Sequence, residues 1–304
     1  VVSTLPPLET EIFSQNIYDY EIASRKLPEP ILDALLRLKH EDYCAVALRR
    51  CELYDSDGQT AEQAKKLAVL LTIASGTQPF SQLDMNRGEL VSTLTPVNGR
   101  ELEQSSSGMT ENYPHIDTGS APGELTADVI SLVVQRAEAS LSTEHFFVPI
   151  KSVVEKLSYK VRNILHQPRF VFRPTDAYRH SPFWQDNELV ASVLSGSFVD
   201  PEVRYDSFVT TFDKESEAAL AIFSDNVQNS IVRLRTSHGL CIIFDNRRCL
   251  HGRSAIDGTC NSPPRLVHRV WGIRNPRPLK PFQSAAWAPV DPYAIFNRTI
   301  GDVR

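Results

Sequence analysis

Two short stretches carry side chains that can hold a metal ion: Tyr113-Pro114-His115-Ile116-Asp117-Thr118 and Phe244-Asp245-Asn246-Arg247-Arg248-Cys249-Leu250-His251-Gly252-Arg253-Ser254. In the first, His115 and Asp117 are two apart, and on an extended strand side chains two apart leave from the same face. An imidazole and a carboxylate converging there can take adjacent positions on an ion, and His251 supplies a third ligand. Two histidines and one carboxylate leave three positions open, as Fe(II) requires if it is to bind a bidentate keto acid and O2 together. Taken alone, an H-x-D spacing also describes a hydrogen-bonded pair in a loop. Three ligands plus water describe catalytic zinc as well, so a zinc-dependent hydrolase stays open at this point.

Arg265 and Arg269 add a second signal. They are four apart in the apolar stretch Arg265-Leu266-Val267-His268-Arg269-Val270-Trp271, so on a strand both face one side, with His268 turned away. A buried guanidinium needs an anionic partner, and its fork suits a carboxylate. Two beside a metal suggest two carboxylates, one of a 2-oxo acid and one of a substrate; the plainer reading is two structural salt bridges. The zinc hydrolase leaves both arginines unexplained. No H-E-x-x-H occurs, since His40-Glu41-Asp42-Tyr43-Cys44 lacks the second histidine, and no G-x-S-x-G nucleophile elbow or Gly-rich phosphate loop is present.

These residues need a scaffold to bring them together. Helical periodicity is expected over 28–40, with Ile31, Leu32, Leu35 and Leu36 on one face, and over 61–75, with Gly76 as C-cap. A third helix is expected over 213–227, burying Ala218, Ala219, Ile222 and Phe223. Branched and aromatic runs at 43–48, 129–134, 170–172, 231–234, 240–244 and 266–273 read as strands. Helices first and irregularly spaced strands later indicate an α+β fold with a sandwich or barrel core, without the βαβ alternation of a dinucleotide fold. A chain of 304 residues with 41% hydrophobic content can bury a substantial core. The net charge of −5 and the absence of a basic block argue against a nucleic-acid partner. Five cysteines (44, 51, 241, 249 and 260) with no C-x-x-C spacing fit a reducing compartment. No apolar run spans a bilayer and residues 1–7 show no signal region, so no membrane partner and a cytoplasmic location are expected. The tryptophans 184, 271 and 287 read as core or pocket wall, and the histidines 145, 166, 180 and 238 as surface or supporting groups.

The run Asp245-Asn246-Arg247-Arg248-x-x-His251-Gly252-Arg253-Ser254, followed by Arg265-x-x-x-Arg269, resembles the clavaminate synthase-like group of Fe(II)/2-oxoglutarate-dependent oxygenases in the taurine dioxygenase-like superfamily. That group includes bacterial arginine and asparagine β-hydroxylases. The likeness extends through Thr93-Leu94-Thr95-Pro96-Val97, through 104–108, and through Ser195-Gly196-Ser197-Phe198 to Arg204-Tyr205-Asp206. It is weak before residue 90 and best between 240 and 270. It implies a double-stranded β-helix (jelly-roll) core with flanking N-terminal and inserted helices, one domain over 1–304, helical to about residue 90 and jelly-roll from about 91. It implies Fe(II) on His115, Asp117 and His251, 2-oxoglutarate on Arg265 and Thr143, O2 as oxidant, and substrate contacts from Arg269 and Gln104. The expected partner is a small molecule, amino-acid-derived, with a carboxylate or amide, and the reaction is hydroxylation of an unactivated C–H bond, within natural-product biosynthesis. Desaturation, epoxidation or ring closure uses the same iron site, and a jelly-roll binding protein without turnover is the non-enzymatic alternative. The amino-acid hydroxylases carry H-T-E, whereas this chain has His115-Ile116-Asp117 followed by small residues, which leaves free arginine or asparagine uncertain as substrate. Asp117 itself sets the chain apart from halogenating relatives, which replace the carboxylate with a small residue.

Overall fold

The computed structural model describes residues 2–8, 16–40, 43–51, 53, 60–85, 88–137, 143–175, 188–256, 265–284 and 287–295; Cys260, His180 and Trp184 lie outside them. Strands follow in the order β1 (Ala45–Leu48), β2 (Gln78–Phe80), β3 (Ser92–Leu94), β4 (Asn112–His115), β5 (Val129–Arg136), β6 (Glu144–Pro149), β7 (Phe170–Phe172) and β8 (Leu189–Ala191). They continue with β9 (Leu194–Gly196), β10 (Pro201–Val203), β11 (Thr210–Thr211), β12 (Val232–Arg235), β13 (Cys241–Asp245), β14 (Cys249–Arg253) and β15 (Leu266–Ile273). Two antiparallel sheets form the core. The larger has the order β1-β13-β5-β15-β2, with β3 also on β15, and the smaller runs β12-β6-β14-β4. Small β11-β7-β8 and β10-β9 sheets lie outside these. This is the expected mixed helix-and-sheet fold with a jelly-roll core.

Period-two alternation places the layers. Ile130, Leu132 and Val134 of β5, Ile242 and Phe244 of β13, and Val267 and Trp271 of β15 face inward, where they meet Phe147 and Cys249 of the smaller sheet. The alternate residues Val129, Val133, Cys241, Ile243 and Val270 face outward, against the helices Ile17–Ser24, Glu29–Lys39 and Thr60–Ala74. Ser131 is a polar residue on that face, and Thr72 of the long helix donates to its hydroxyl at 2.8 Å. On the far side, Val148 and Leu250 pack with the helices Ile150–Val154, Tyr159–Leu165 and Lys214–Gln228. Gly272 lets the sheet meet the N-terminal part closely, since a Cβ there would run into Thr72 and Thr77.

Two helix faces differ from the sequence expectation. In Glu29–Lys39 the buried leucines are Leu35 and Leu38, while Leu36 is 52% exposed. In Lys214–Gln228 the buried stripe is Ser216, Ala219, Phe223 and Val227, and both Ala218 and Ile222 lie outside it. Both spans contain more apolar residues than one face holds, and the tertiary partner selects the stripe. The latter helix starts at Asp213, whose carboxylate accepts from Ser216 N at 2.9 Å. Among the described residues no helix is long and apolar enough to cross a membrane.

Candidate active site

The smaller sheet brings the two histidines together. His251 on β14 stands directly across from His115 on β4, with ring centroids 4.4 Å apart. Gly252 permits this pairing, because a Cβ there would collide with the backbone of Asn112 and Tyr113. The chain leaves β4 at His115 and turns, with Thr118 in the left-handed region at φ 58°. Asp117 sits in this turn, so its place is set by the turn rather than by strand alternation. Asn246 fixes it: its Oδ1 accepts from Asp117 N at 3.0 Å, and its Nδ2 donates to Asp117 O at 3.3 Å and Ala127 O at 3.0 Å.

Asp117 Oδ1 faces both imidazoles, 3.6 Å from His115 Nε2 and 3.4 Å from His251 Nε2. Bonds of about 2.1 Å to a common ion put neighbouring donors roughly 3 Å apart. The observed spacing is close to that, and all three ligand atoms lie within 4.8 Å of one another. The other oxygen, Oδ2, accepts from Arg269 at 2.9 Å and from Trp271 Nε1 at 2.8 Å. One oxygen is thus held by the protein and the other is presented to a metal. Burial pushes Asp117 upward, but Arg269 and the two imidazoles hold it well below the ordinary carboxylate range. Burial and His115 push His251 down to about 4, so its ring is neutral. His115 Nδ1 pairs with Tyr113 O at 2.7 Å, which directs its Nε2 lone pair toward the ion. The donor set fits Fe(II).

A cavity of about 340 Å³ opens beside these groups. Arg265 and Arg269 both line it, as their spacing requires, while His268 points outward and pairs with Gln135 Oε1 at 2.7 Å. Gln104 lies on the wall and accepts from Ser207 Oγ at 2.9 Å. Thr143 is buried just before β6 and lies outside the cavity lining; His145, two residues on, is in it. Asp206 also faces the cavity, almost fully buried, and burial raises it to about 6. Its Oδ1 accepts from Phe208 N at 2.7 Å, while Oδ2 has no partner among the described residues.

The remaining arginines of the motif hold loops. Arg253 donates to Ser105 O at 2.9 Å, Gly108 O at 2.5 Å and Thr110 O at 2.6 Å, fastening the segment that carries Gln104. Arg247 bonds Asp128, Gly123 O and Thr126 O, and Arg248 bonds Asp200. The small residues after Asp117 are buried and pinned, because Arg204 donates to the carbonyls of Gly119 and Ala121. Sequence reasoning missed His145, Asp206, Asn246 and the Trp271 hydrogen bond. The neighbours of His145, Asn246 and Trp271 at the site are distant in the chain, and the available signals were the position of Asn246 inside the His251 motif and of Asp206 at the end of the resembling run.

The profile of the family described as "Taurine catabolism dioxygenase TauD, TfdA family" matches residues 30–271. Among solved structures, asparagine oxygenase in complex with Fe(II), 2S,3S-3-hydroxyasparagine and succinate is similar at 21% identity and TM-score 0.78, covering 90% of this chain and 88% of that one. The non-heme iron oxygenase OrfP with Fe, succinate and (3R,4R)-dihydroxy-L-Arg is similar at 19% identity and TM-score 0.78, covering 90% and 89%. OrfP with Fe and alpha-ketoglutaric acid is similar at 20% identity and TM-score 0.76, with the same coverage.

Proposed function

Because this chain belongs to the TauD, TfdA family of dioxygenases, we propose that it uses Fe(II), 2-oxoglutarate and O2 to hydroxylate an unactivated C–H bond of an amino acid or a small amino-acid derivative. The observation that carries this reading is the cluster of His115, Asp117 and His251 in the wall of a cavity that Arg265 and Arg269 also line. In our reading the three ligands hold iron and leave one face open. The bound metal with its keto acid supplies the oxidant for the C–H bond, with succinate and CO2 as co-products. Arg265, on the inner wall, takes the distal carboxylate of 2-oxoglutarate. Thr143 belongs to the same end of β6, but the nearer wall position there is His145.

The substrate side is polar at both ends. Arg269 keeps its bond to Asp117 and offers the rest of its guanidinium to a substrate carboxylate. The buried Asp206 Oδ2, without a protein partner among the described residues, accepts from an amine or amide N–H. Gln104 lies on the same wall, positioned by Arg253 through its loop. A cavity of about 340 Å³ suits a keto acid with one amino acid better than a polymer. The similar asparagine and arginine enzymes make amino acids the first class to test. The four described cysteines are free thiols, which supports a cytoplasmic setting.

Anaerobic titration of the apo-protein with Fe(II) and 2-oxoglutarate should raise a visible metal-to-ligand charge-transfer band, lost in His115→Ala and in Arg265→Ala. Succinate release across a panel of amino acids and their amides then identifies the substrate. A folded, iron-loaded protein that gives no band sinks this proposal. A band without succinate release for any substrate favours a silent binding protein.

A further inference from the structure

Among the described residues, His145 is the one cavity-wall histidine that the metal cluster leaves unused. It lies on β6 directly across from Arg253 of β14, one inward position before Phe147, which faces His251. The residue is 5% exposed and lines the cavity together with Arg265, Arg253 and the apolar residues Leu132 and Val267. Nε2 is buried with no hydrogen-bond partner among the described residues. Buried polar atoms in folded proteins are almost always paired, so an orphan on a cavity wall marks where a ligand atom belongs. With the ring proton on Nε2, the guanidinium groups of Arg253 and Arg265 cannot satisfy it, because they only donate. The matching ligand atom is an anionic oxygen. Burial and the field of Arg265 push the ring down to about 3, so it is a neutral donor at physiological pH and adds no repulsive charge beside Arg265.

We propose that His145 is a second binding residue for the co-substrate, its Nε2–H donating to the distal carboxylate of 2-oxoglutarate alongside Arg265. The inference rests on the 2-oxoglutarate reading above and adds to it a residue that selects for a diacid. A guanidinium fork and an imidazole N–H from two facing sheets fix the carboxylate in direction as well as in charge, so a keto acid without that group loses both contacts.

The test uses the anaerobic Fe(II)-loaded protein, titrated with 2-oxoglutarate and separately with pyruvate, which lacks the distal carboxylate. The charge-transfer band reports binding without turnover. Wild type is compared with His145→Phe and His145→Leu, which remove the donor, and with His145→Gln, which keeps an N–H; circular dichroism confirms folding. Either apolar variant should weaken 2-oxoglutarate about 10- to 100-fold, as loss of a hydrogen bond to a charged group does. Pyruvate binding should stay within about twofold of wild type, and His145→Gln should recover much of the loss. Unchanged 2-oxoglutarate affinity in both apolar variants overturns the contact. Equal weakening of both keto acids also overturns it, by showing a merely structural role. Wild-type protein that binds Fe(II) but gives no band with either acid removes the reading beneath, and this inference with it.

Discussion

Asn246 is the residue whose replacement most sharply tests how the metal carboxylate is held. Its side chain is fully buried and makes three hydrogen bonds, to Asp117 N, Asp117 O and Ala127 O. Asn246→Leu keeps the volume but leaves Asp117 N and Ala127 O without that partner, while Asp117 O keeps the Thr118 hydroxyl. Each orphaned group costs about 1–3 kcal/mol, so the total is about 2–6 kcal/mol. Burying leucine in place of an amide returns about 2 kcal/mol. We therefore expect a net loss of about 2 kcal/mol, a sizeable share of a domain's stability. Urea unfolding of the apo-protein measures it directly. Repeating the unfolding with saturating Mn(II), a redox-inert stand-in for Fe(II), reads the positioning role. Wild type should gain about 2.7 kcal/mol at a hundred times its Kd, and the variant clearly less, because Asp117 no longer has a fixed backbone. A loss under about 1 kcal/mol refutes the assignment of these bonds. A full metal increment in the destabilised variant refutes the claim that Asn246 positions the ligand.

Other outcomes follow from the same geometry. Trp271→Phe removes one of two donors to Asp117 Oδ2 and should weaken Mn(II) binding about 10- to 100-fold by calorimetry; an unchanged Kd counts against an orienting role. Arg253→Met frees the carbonyls of Ser105, Gly108 and Thr110 and should speed hydrogen exchange at 105–110 and raise the substrate KM more than it lowers kcat. Cys249→Ala should retain turnover, since no thiol takes part, whereas His251→Ala should abolish it. Burial and then Lys65 hold His268 down to about 4 from its ordinary 6.5, which is worth about 3 kcal/mol. The unfolded chain takes up that proton first, so this stability is intact above about pH 6.5 and is lost as pH falls toward 4. His268→Gln should flatten that part of the stability profile relative to wild type, and parallel profiles rule the linkage out.

The sequence carried the ligands because their chemistry is local in character: H-x-D and the His251 motif name residue types that iron requires. It carried the shared face of Arg265 and Arg269 because alternation on β15 is a local rule. The strands that frame the metal were harder to see. β14 is hidden inside a polar motif, and β6, Glu144-His145-Phe146-Phe147-Val148-Pro149, lacks clean alternation because it is covered on both faces. His145 looked unimportant for a related reason. It has no neighbour in the chain at ligand spacing, and its surroundings, Arg253 and Arg265, arrive across the sheet and from the facing sheet. Asp117 and Trp271 are likewise separated by about half of the chain. The helix faces at Leu36 and Ile222 were misassigned because the choice between two apolar stripes is made by the partner surface.

β15 ties these separate observations together. Arg265 just before it and Val267, Arg269 and Trp271 within it all face the interior, so one strand carries both the proposed co-substrate arginine and the two donors that hold Asp117. At about 3.3 Å per residue, Arg265 and Arg269 are separated by roughly 13 Å along the backbone, and the side chains reach inward from those two points. The strand therefore acts as a ruler between the carboxylate that binds the metal and the carboxylate that anchors the keto acid. A slip of one residue would turn all four side chains outward and bring His268 in. That register is fixed on both sides, by β5 along nearly the whole strand and by β3 at Val267–Arg269. The distance between the metal end and the anchoring end is thus set by the most extensively paired strand among the described residues, while the proposed substrate-side residues, Gln104, Asp206 and Ser207, sit on segments outside the two core sheets. Substrate preference should therefore change through those segments without disturbing co-substrate binding. Gln104→Ala and Asp206→Asn should alter which amino acid is turned over while leaving the anaerobic 2-oxoglutarate titration within about threefold of wild type; a large change in that titration would mean the two ends are not separately built.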